Sequence, residues 1–597
     1  MERYPFLRSN LEVLEKQNPS ICRWLNSLGP GVTGPSENLV QNARGFLDWR
    51  LPTGKSLFHA MPPWAAYRDW RIPDQAETSV TILVGCNLGY GLNFLLPKLP
   101  CSHQVLVLEP RPDMLIACLG HTDYRPFLDT GRLLFLPPHP GQLRETVSRL
   151  ILPCLFGKVV MRSDLPSLQL GPEYAIWAEH SREALEDLRV RLYTLRLNQD
   201  RMIRNELQNY ARASRRGSLM TLKGKAAGLT AVVLGAGPSL AEFAPGLAQS
   251  RGDALYAASL QVLPALRRWG LKPDLCMAID CDRSLMQVYN RFDREWAKEI
   301  PLIYSTTVHP EVIERYPGPA LPLWTRGGLA SLVPEGRELV LDVGGNVGVA
   351  MVKFMRWCGA EKIVLVGQDF SWRGEETHAR GHFSSERPFR FDPRSHTEMK
   401  NRQGETVFSA PPYLNALREI ERDLEGSPGQ VFDLYGGGLA IRGSEPVTWA
   451  ELAGKGLLES KPGALRGFLQ TLRGDLLPRN WNLSAQPRAR WRAFLDSARR
   501  HLQRLFGGCS VDTGQVNSLL QEILDWLQQE PSWRPYLMNE AINVAGLMYA
   551  TRTYGRGELE RCMEIMDRVE GKVREMERFL VHEGHESSMA TFFQYSV

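Results

Sequence analysis

The chain has 597 residues and a formal net charge of +5, and 43% of its residues are hydrophobic and 23% charged. This composition predicts a soluble protein of roughly three or four domains, and so small a net charge argues against binding nucleic acid or a membrane surface. No apolar stretch is long enough for a membrane span, the N-terminal residues are charged, and ten scattered cysteines lack CxxC pairs. We therefore expect a cytoplasmic protein with reduced thiols and no zinc site.

The first third of the chain has the pattern of a Rossmann-like domain, predicted over residues 1–171. A strand at Val80–Val84 leads into a glycine-rich turn, Gly85–Gly91, and a second strand at Gln104–Leu108 ends at Glu109. Such a turn followed by an acid is how these domains hold adenosine. Two interpretations stay open, a working cofactor site and a Rossmann-like domain without a ligand.

Residues 172–217 form a predicted connecting helix. Leucine and isoleucine recur at three- and four-residue steps from Pro172 to about Tyr210, on a background of charged residues. The pattern predicts a solvated connector between two Rossmann-like domains.

A second strand–turn–helix pattern opens a central domain, predicted over residues 218–450. The apolar strand Leu229–Leu234 leads into Gly235-Ala236-Gly237-Pro238-Ser239, and a helix begins at Leu240. Glycines let the backbone approach an anion, and helix N-termini attract phosphate. The turn is therefore predicted to hold the phosphate of a nucleotide or nucleotide sugar, although a tight turn without a ligand would have a similar sequence.

Further strands are predicted at Ala254–Ser259, Asp274–Asp280, Pro301–Thr306 and Lys362–Gly367. In a parallel sheet, ligands bind beyond the carboxyl ends of the strands. The residues at these ends are polar or glycine, namely Ser259, Asp280, Asp282, Ser305, Thr306, Gly367, Gln368 and Asp369. Asp280 and Asp282 could hold a divalent ion or cap the following helix, and Asn346, after a second glycine turn, could cap a helix or contact the ligand.

The segment from Gly367 to Pro412 has little periodicity and is much longer than ordinary loops, which rarely exceed roughly 12–15 residues. It contains Trp372, Phe383, Phe389, Phe391 and several arginines, together with His378, His382 and His396. This composition predicts a lid that supplies a general base, with a solvated surface excursion as the alternative. His378 is the first candidate base and His382 the second.

Residues 451–597 are predicted to form a helical domain. Strand-like runs disappear there, and Glu558–Val581 has the apolar spacing of one amphipathic helix. The whole chain is thus predicted to be α/β, with an N-terminal and a central Rossmann-like domain, both with mostly parallel sheets, and a C-terminal helical bundle.

Several motifs together resemble the motility accessory factor (Maf) family of flagellin glycosyltransferases. They are the GxxLGYG-type turn, Glu109-Pro110, the GxGPSL turn, the run from Pro273 to Asp280, and Val366 to Asp369. The GPSL turn also resembles that of bacterial sialyltransferases. The resemblance implies transfer of a sialic-acid-like sugar, of pseudaminic or legionaminic type, from CMP to Ser or Thr of flagellin. It also implies no metal and no cofactor besides the CMP-activated donor, and a lid histidine as base.

Two other functions remain open. Relatives of the central domain include an archaeal pterin pyrophosphokinase, which would need Mg²⁺, and a non-catalytic flagellin-binding factor would leave the central pocket empty. The predicted catalytic residues are His378 and His382. The predicted contacts to the nucleotide sugar are Gly235, Gly237, Pro238, Ser239, Ser259, Asp280, Asp282, Ser305, Thr306, Asn346, Gly367, Gln368 and Asp369.

Overall fold

The computed structural model describes residues 4–29, 36–42, 44–382, 389–425, 430–474, 476–479, 490–507, 511–530 and 533–582. The chain forms two compact units. The first contains residues 1–193, 505–521 and 542–559, and the second contains the rest. Within the described part of the chain, no helix combines the length and apolar character needed to cross a membrane.

The first unit contains a four-stranded parallel sheet with the order β5-β4-β3-β6 and a separate antiparallel pair, β1-β2. The predicted strands Val80–Val84 and Gln104–Leu108 are present with those bounds. The strands are β1 (Leu39–Gln41), β2 (Leu47–Trp49), β3 (Val80–Val84), β4 (Gln104–Leu108), β5 (Leu133–Leu136) and β6 (Val159–Ser163). The helices are α1 (Leu7–Gln17), α2 (Pro19–Ser27), α3 (Pro63–Tyr67), α4 (Tyr90–Leu95), α5 (Pro112–His121), α6 (Arg125–Leu128), α7 (Pro140–Ser148) and α8 (Ile151–Phe156).

Protein side chains fill the space beside the glycine-rich turn of this sheet. Glu109 is buried, and its carboxylate accepts hydrogen bonds from the backbone N–H of Cys86 (2.8 Å), the N–H of Arg111 (3.1 Å) and the hydroxyl of Tyr174 (2.6 Å). Asn87 donates to Asp164 in the same region (2.7 Å). Glu109 therefore holds the turn and the next loop together, and this geometry favours the interpretation without a ligand.

The predicted connecting helix is a single helix, α9 (Glu173–Ser214). Its C-terminal part belongs to the second unit and lies against the carboxyl end of a central strand. The Asn205 amide donates to the carbonyls of Cys281 and Thr307 (both 2.9 Å), and the Asn209 amide donates to those of Thr306 and Val308 (both 2.8 Å). Two asparagines one helical turn apart thus pair with backbone acceptors that would otherwise lack partners.

The second unit contains a nine-stranded parallel sheet with the order β12-β11-β10-β9-β8-β7-β13-β16-β17. Its strands are β7 (Thr230–Leu234), β8 (Leu255–Ser259), β9 (Leu275–Ala278), β10 (Leu302–Ser305), β11 (Ala320–Thr325), β12 (Val340–Leu341), β13 (Lys362–Val366), β16 (Gln430–Leu434) and β17 (Glu445–Val447), with a hairpin of β14 (Thr397–Lys400) and β15 (Thr406–Ser409) apart from it. All five predicted central strands are present.

The helices of this unit alternate with its strands and cover both faces of the sheet. They are α10 (Leu240–Gln249), α11 (Leu263–Arg268), α12 (Arg294–Ala297), α13 (Pro310–Arg315), α14 (Val347–Trp357), α15 (Pro411–Glu425), α16 (Trp449–Gly454) and α17 (Ala464–Arg473). Neighbouring residues of one strand pack on opposite faces of the sheet. Val232 belongs to the hydrophobic cluster on one face and Val233 to the cluster on the other. Burial on both faces explains why the central strands are continuously apolar.

The order of the strands places a topological switch point between β7 and β13. From β7 the chain builds outward through β8 to β12, and it then returns to add β13 on the other side of β7. The connections after β7 and β13 therefore run in opposite directions and leave a crevice at their carboxyl ends, where ligands of such sheets bind.

Four helices follow, α18 (Trp491–Phe506), α19 (Thr513–Gln529), α20 (Arg534–Ala550) and α21 (Arg556–Glu577), and the helical character predicted for this region is confirmed. Each of them contributes residues to both units. In α21, Met566, Val569, Val573 and Met576 are buried, in agreement with the predicted apolar face.

Replacing Glu109 tests whether this carboxylate is structural. Glu109→Ala leaves one buried and one part-buried backbone N–H group and one buried tyrosine hydroxyl without an acceptor, and we expect a loss of roughly 2–4 kcal/mol in unfolding free energy. Urea unfolding of the full chain measures this loss. The control Glu145→Ala removes an exposed helical ion pair with Arg149 and should change stability by less than about 0.5 kcal/mol. Equal midpoints for the two variants would contradict the structural role.

Candidate functional site

A cavity of about 540 Å³ lies at the carboxyl ends of β7, β8, β9 and β13. Its wall is built from the strand-end turns, from the first turn of α14, from the segment after β13 and from one face of α9. Ten of the predicted site residues line it, namely Gly235, Gly237, Ser259, Asp280, Asn346, Gly367, Gln368, Asp369, His378 and His382. The cavity therefore occupies the switch point of the sheet.

The turn after β7 is held by the end of β13. Gly235 donates its N–H to the carbonyl of Val366 (2.8 Å), and Gly237 donates to that of Gly367 (2.9 Å). Asp369 accepts from the backbone N–H of Ser239 (2.8 Å) and from its hydroxyl (2.6 Å). The carboxylate of Asp369 thus occupies the N-terminus of α10, the position predicted for a phosphate.

These contacts change the role of the turn. Three of its N–H groups already have protein acceptors, and Pro238 has none to donate. Pro238 and Ser239 are not in the cavity wall, and Ser239 is buried against Asp369. The turn therefore does not offer a set of free backbone N–H groups to a ligand. It offers close approach to the backbone at Gly235–Gly237.

Tight packing against β13 requires both glycines. A Cβ atom on Gly235 would lie 2.8 Å from Nε2 of Gln368, and one on Gly237 would lie 2.7 Å from the carbonyl oxygen of Gly367. A side chain at either position therefore forces the two strand ends apart, whether or not a ligand is bound.

Ser305 and Thr306 lie outside the cavity wall, contrary to the expectation from their place at a strand end. Their strand, β10, is three strands away from the switch point, about 14 Å at the usual strand spacing. The Thr306 hydroxyl donates to Glu206 of α9 (2.5 Å), and Ser305 contacts the hydroxyl of Thr307 (2.7 Å). Both residues support α9, and burial raises the pKa of Glu206 to about 7.

The two aspartates after β9 differ in position. Asp280 lines the cavity and is exposed as a whole residue, but the surrounding protein removes part of the water around its carboxyl, and this desolvation raises its pKa. Asp282 lies outside the wall, where it accepts from the N–H of Ser284 (2.8 Å) at the start of a 3₁₀ helix and pairs with Arg201. Of the two roles predicted for these aspartates, Asp282 therefore has the helix-capping one. Among the residues with described positions, no group of three or more His, Cys, Asp and Glu side chains is placed to hold a metal.

The second glycine turn, Gly344–Gly348, brings the N-terminus of α14 to the cavity. Asn346 caps this helix, because its side-chain oxygen accepts from the N–H groups of Gly348 (2.8 Å) and Val349 (3.3 Å). The capping alternative is confirmed, and Asn346 also lines the cavity. Gln368 lies beside this turn, since a Cβ on Gly348 would be 2.6 Å from its Nε2 atom.

Three buried polar atoms of wall residues have no hydrogen-bond partner among the described residues. They are Nε2 of Gln368, Oγ of Ser259 and Nε1 of Trp372. Leaving a buried polar group unpaired costs roughly 1–3 kcal/mol. Three such groups around one cavity are typical of a site that binds a polar ligand.

His378 and His382 form a stacked pair in the wall. Their rings are parallel within 5°, with centroids 4.3 Å apart. Burial lowers the pKa of His378 to about 4, and burial together with the neighbouring His378 lowers that of His382 to about 3. Both imidazoles are therefore neutral at pH 7. Thr377 (3.0 Å) and Tyr413 (3.4 Å) contact the two ring nitrogens of His378.

The described parts of the long segment after β13 are tied to neighbouring elements of the fold. Trp372 pairs with Phe408 through two backbone hydrogen bonds of 2.9 Å, which join the segment to the β14–β15 hairpin. Phe389, His396 and Tyr413 pack edge-on against the Trp372 ring. The N–H of Ala379 donates to the carbonyl of Ala236 (2.9 Å), so the segment is tied to the turn after β7. Phe383 lies outside the described residues.

Sequence reasoning missed the residues that α9, the turn after β8 and α15 add to the wall. They are Thr194, Asn198, Met202, Gln261 and Tyr413. The three residues on α9 follow one another at steps of four, but polar residues at this spacing are typical of any solvated helix face. Their neighbours in the fold are far away in sequence, and no local signal identifies them.

The fold of this chain resembles that of a protein of known structure. It is similar to the structure of a Maf glycosyltransferase from Magnetospirillum magneticum AMB-1, with a TM-score of 0.56 and 19% sequence identity over 95% of both chains. The chain has the fold of a Maf glycosyltransferase. The resemblance inferred from the motifs is thus confirmed for the fold, including the parallel sheets and the C-terminal helices.

Two further comparisons concern the sequence. Residues 204–375 match the family described as 6-hydroxymethylpterin diphosphokinase MptE-like. This match includes the glycine turns and the strand ends that line the cavity, but it begins after Met202 and ends before His378. No curated protein sequence matches the chain.

A pair of glycine substitutions separates packing from ligand binding. Gly345 lines the cavity and has open space around its Cβ position, so Gly345→Val should fold normally and project into the cavity. We expect unchanged thermal stability and CMP binding weakened by about tenfold or more, which corresponds to about 1.4 kcal/mol. Gly237→Val should instead lower stability, because its side chain collides with the end of β13.

Calorimetry with CMP and thermal unfolding measure the two effects. Gly571→Val is the matched control, because Gly571 lies on α21 with open space around it and outside the cavity. Native CMP affinity in Gly345→Val would mean that the nucleotide does not approach the N-terminus of α14.

Proposed function

We propose that the protein is a cytoplasmic glycosyltransferase that moves a sialic-acid-like sugar, of pseudaminic or legionaminic type, from its CMP-activated donor to Ser or Thr of flagellin. One observation carries the proposal. A Maf-like fold has at its switch point a cavity whose wall contains unpaired polar groups and a neutral histidine pair. The size of the cavity lies within the range of pockets that bind small ligands, about 300–1,000 Å³.

The donor phosphate is best accommodated at the first turn of α14. Helix N-termini carry partial positive charge and attract anions. At α10 this charge already faces the carboxylate of Asp369, whereas at α14 the cap is the uncharged side chain of Asn346. The unpaired amide of Gln368 lies beside the same turn and supplies a further donor.

His378 is the proposed base. In the transfer step the acceptor hydroxyl oxygen forms a bond to the anomeric carbon, and the bond from that carbon to the phosphate oxygen breaks. CMP leaves with the electron pair, and the hydroxyl proton moves to a ring nitrogen of His378. A neutral imidazole is required for this step, and His378 is neutral at pH 7, although burial also makes it a weaker base. Thr377 contacts Nδ1 and orients the ring, and the acceptor hydroxyl replaces the longer Tyr413 contact at Nε2, the nitrogen that takes the proton.

A nucleotide-dependent pyrophosphokinase is the second candidate. It is favoured by the match of residues 204–375 to the MptE-like diphosphokinase family. Transfer of a diphosphate group accumulates more negative charge than release of CMP and generally uses Mg²⁺ to neutralise it. The two functions therefore differ in their dependence on a divalent ion.

Removal of the proposed base is the direct test. His378→Ala should lower the turnover of sugar transfer by about 10²–10⁴-fold, because general base catalysis contributes that much, with little change in CMP affinity. Steady-state kinetics with purified flagellin and calorimetry with CMP measure the two quantities. His382→Ala removes the stacked neighbour, and His501→Ala is the control at an exposed position outside the cavity wall. Near-native turnover in His378→Ala would transfer the role to His382.

Chelation separates the two candidate functions. We expect sugar transfer to continue in EDTA, because a departing monophosphate can be stabilised by helix N-termini and amide donors. The assay compares initial rates with EDTA, and with EDTA followed by excess Mg²⁺. Loss of activity with recovery on adding Mg²⁺ would favour the pyrophosphokinase or a metal-dependent transferase.

A further inference from the structure

One wall of the cavity has no assigned function. It is the face of α9 formed by Thr194, Asn198 and Met202, which we call the α9 wall. These residues are spaced at i, i+4 and i+8, so they project from one side of the helix. They also lie before the segment 204–375 that matches the MptE-like family.

The helix is firmly anchored directly after this wall. Asn205 and Asn209 donate to four backbone carbonyls, Glu206 accepts from Thr306 and from the N–H of Leu329 (2.7 Å), and Arg201 pairs with Asp282. These contacts fix the α9 wall beside the turn that contains Asp280. A rigid helix presents side chains more accurately than a loop does.

Burial distinguishes the interior of the cavity from its mouth. Gln368, Asp369 and His382 are buried, whereas Thr194, Asp280 and the turn Gly344–Gly345 are exposed and Asn198 is half-buried. A small donor can enter the interior, but a protein acceptor is too large and must be bound at the mouth. The α9 wall meets this requirement, and it shares the cavity with His378.

We propose that the α9 wall binds the polypeptide acceptor, with the Asn198 carboxamide pairing with a main-chain amide beside the hydroxyl that is modified. A carboxamide has one acceptor and two donor positions, so it can pair with the N–H and C=O groups of an extended peptide. Asn198 makes no described hydrogen bond with the protein. Exposed Leu197 beside it (56% exposed) adds apolar contact area for a peptide. The inference rests on the proposed transfer to protein.

The test compares Asn198→Ala with the parent chain and with Gln208→Ala, an exposed position on α9 outside the cavity wall. We expect Asn198→Ala to raise the acceptor KM for flagellin about tenfold and to weaken flagellin binding measured without donor by a similar factor. CMP affinity should stay within about twofold of the parent. Asn198→Asp keeps the size but loses the donor and should resemble Asn198→Ala, whereas Asn198→Gln should recover part of the binding.

The outcomes separate this inference from the proposed function. If the parent transfers sugar and Asn198→Ala has native acceptor KM and flagellin binding, the α9 wall does not bind the acceptor. Weaker CMP binding with native flagellin binding would assign the wall to the donor and would also overturn the inference. If the parent binds flagellin through Asn198 but transfers no sugar, the acceptor surface is supported and the proposed function fails.

Discussion

The carboxylate of Asp369 determines how the central site is built. It accepts from both the N–H and the hydroxyl of Ser239 and so ties the turn after β7 to the end of β13. Burial raises the pKa of this carboxyl to about 6, and the two bonds from Ser239 oppose that shift, which leaves it mainly ionised at pH 7. An ionised acid at the start of α10 repels a second anion, so a phosphate is better placed at α14, where the cap is uncharged.

The two parallel sheets of this chain share a local sequence pattern but differ in whether a cavity lies beside it. Both contain a glycine-rich turn after an apolar central strand. Beside the first, the buried side chains of Tyr67, Asn87, Glu109 and Asp164 bond to one another or to the turn and occupy the space. Beside the second, the side chains leave a cavity of about 540 Å³. A ligand site therefore depends on the side chains that arrive from other elements, and the turn alone does not create it.

Helix α9 both supports the ends of central strands and forms part of the cavity wall. Its asparagines satisfy carbonyls at the ends of β9 and β10, and its preceding turns form a wall of the cavity. The polar residues at the end of β10 are thereby used for packing the helix. One helix thus determines both which strand ends remain accessible and what the open part of the cavity presents to a large substrate.

The sequence by itself determined the fold class, the five central strands, the helical C-terminal region and ten of the residues that line the cavity at the switch point. It could do so because strand burial, glycine turns and strand ends are local features whose meaning follows from parallel-sheet topology. The tertiary structure decided which of these residues face the cavity. Ser305 and Thr306 turned away under α9, Ser239 bonded to Asp369, and His378 stacked on His382. The first two outcomes depend on contacts between residues distant in sequence, and the third on the conformation of a segment without periodicity, so local patterns do not encode them.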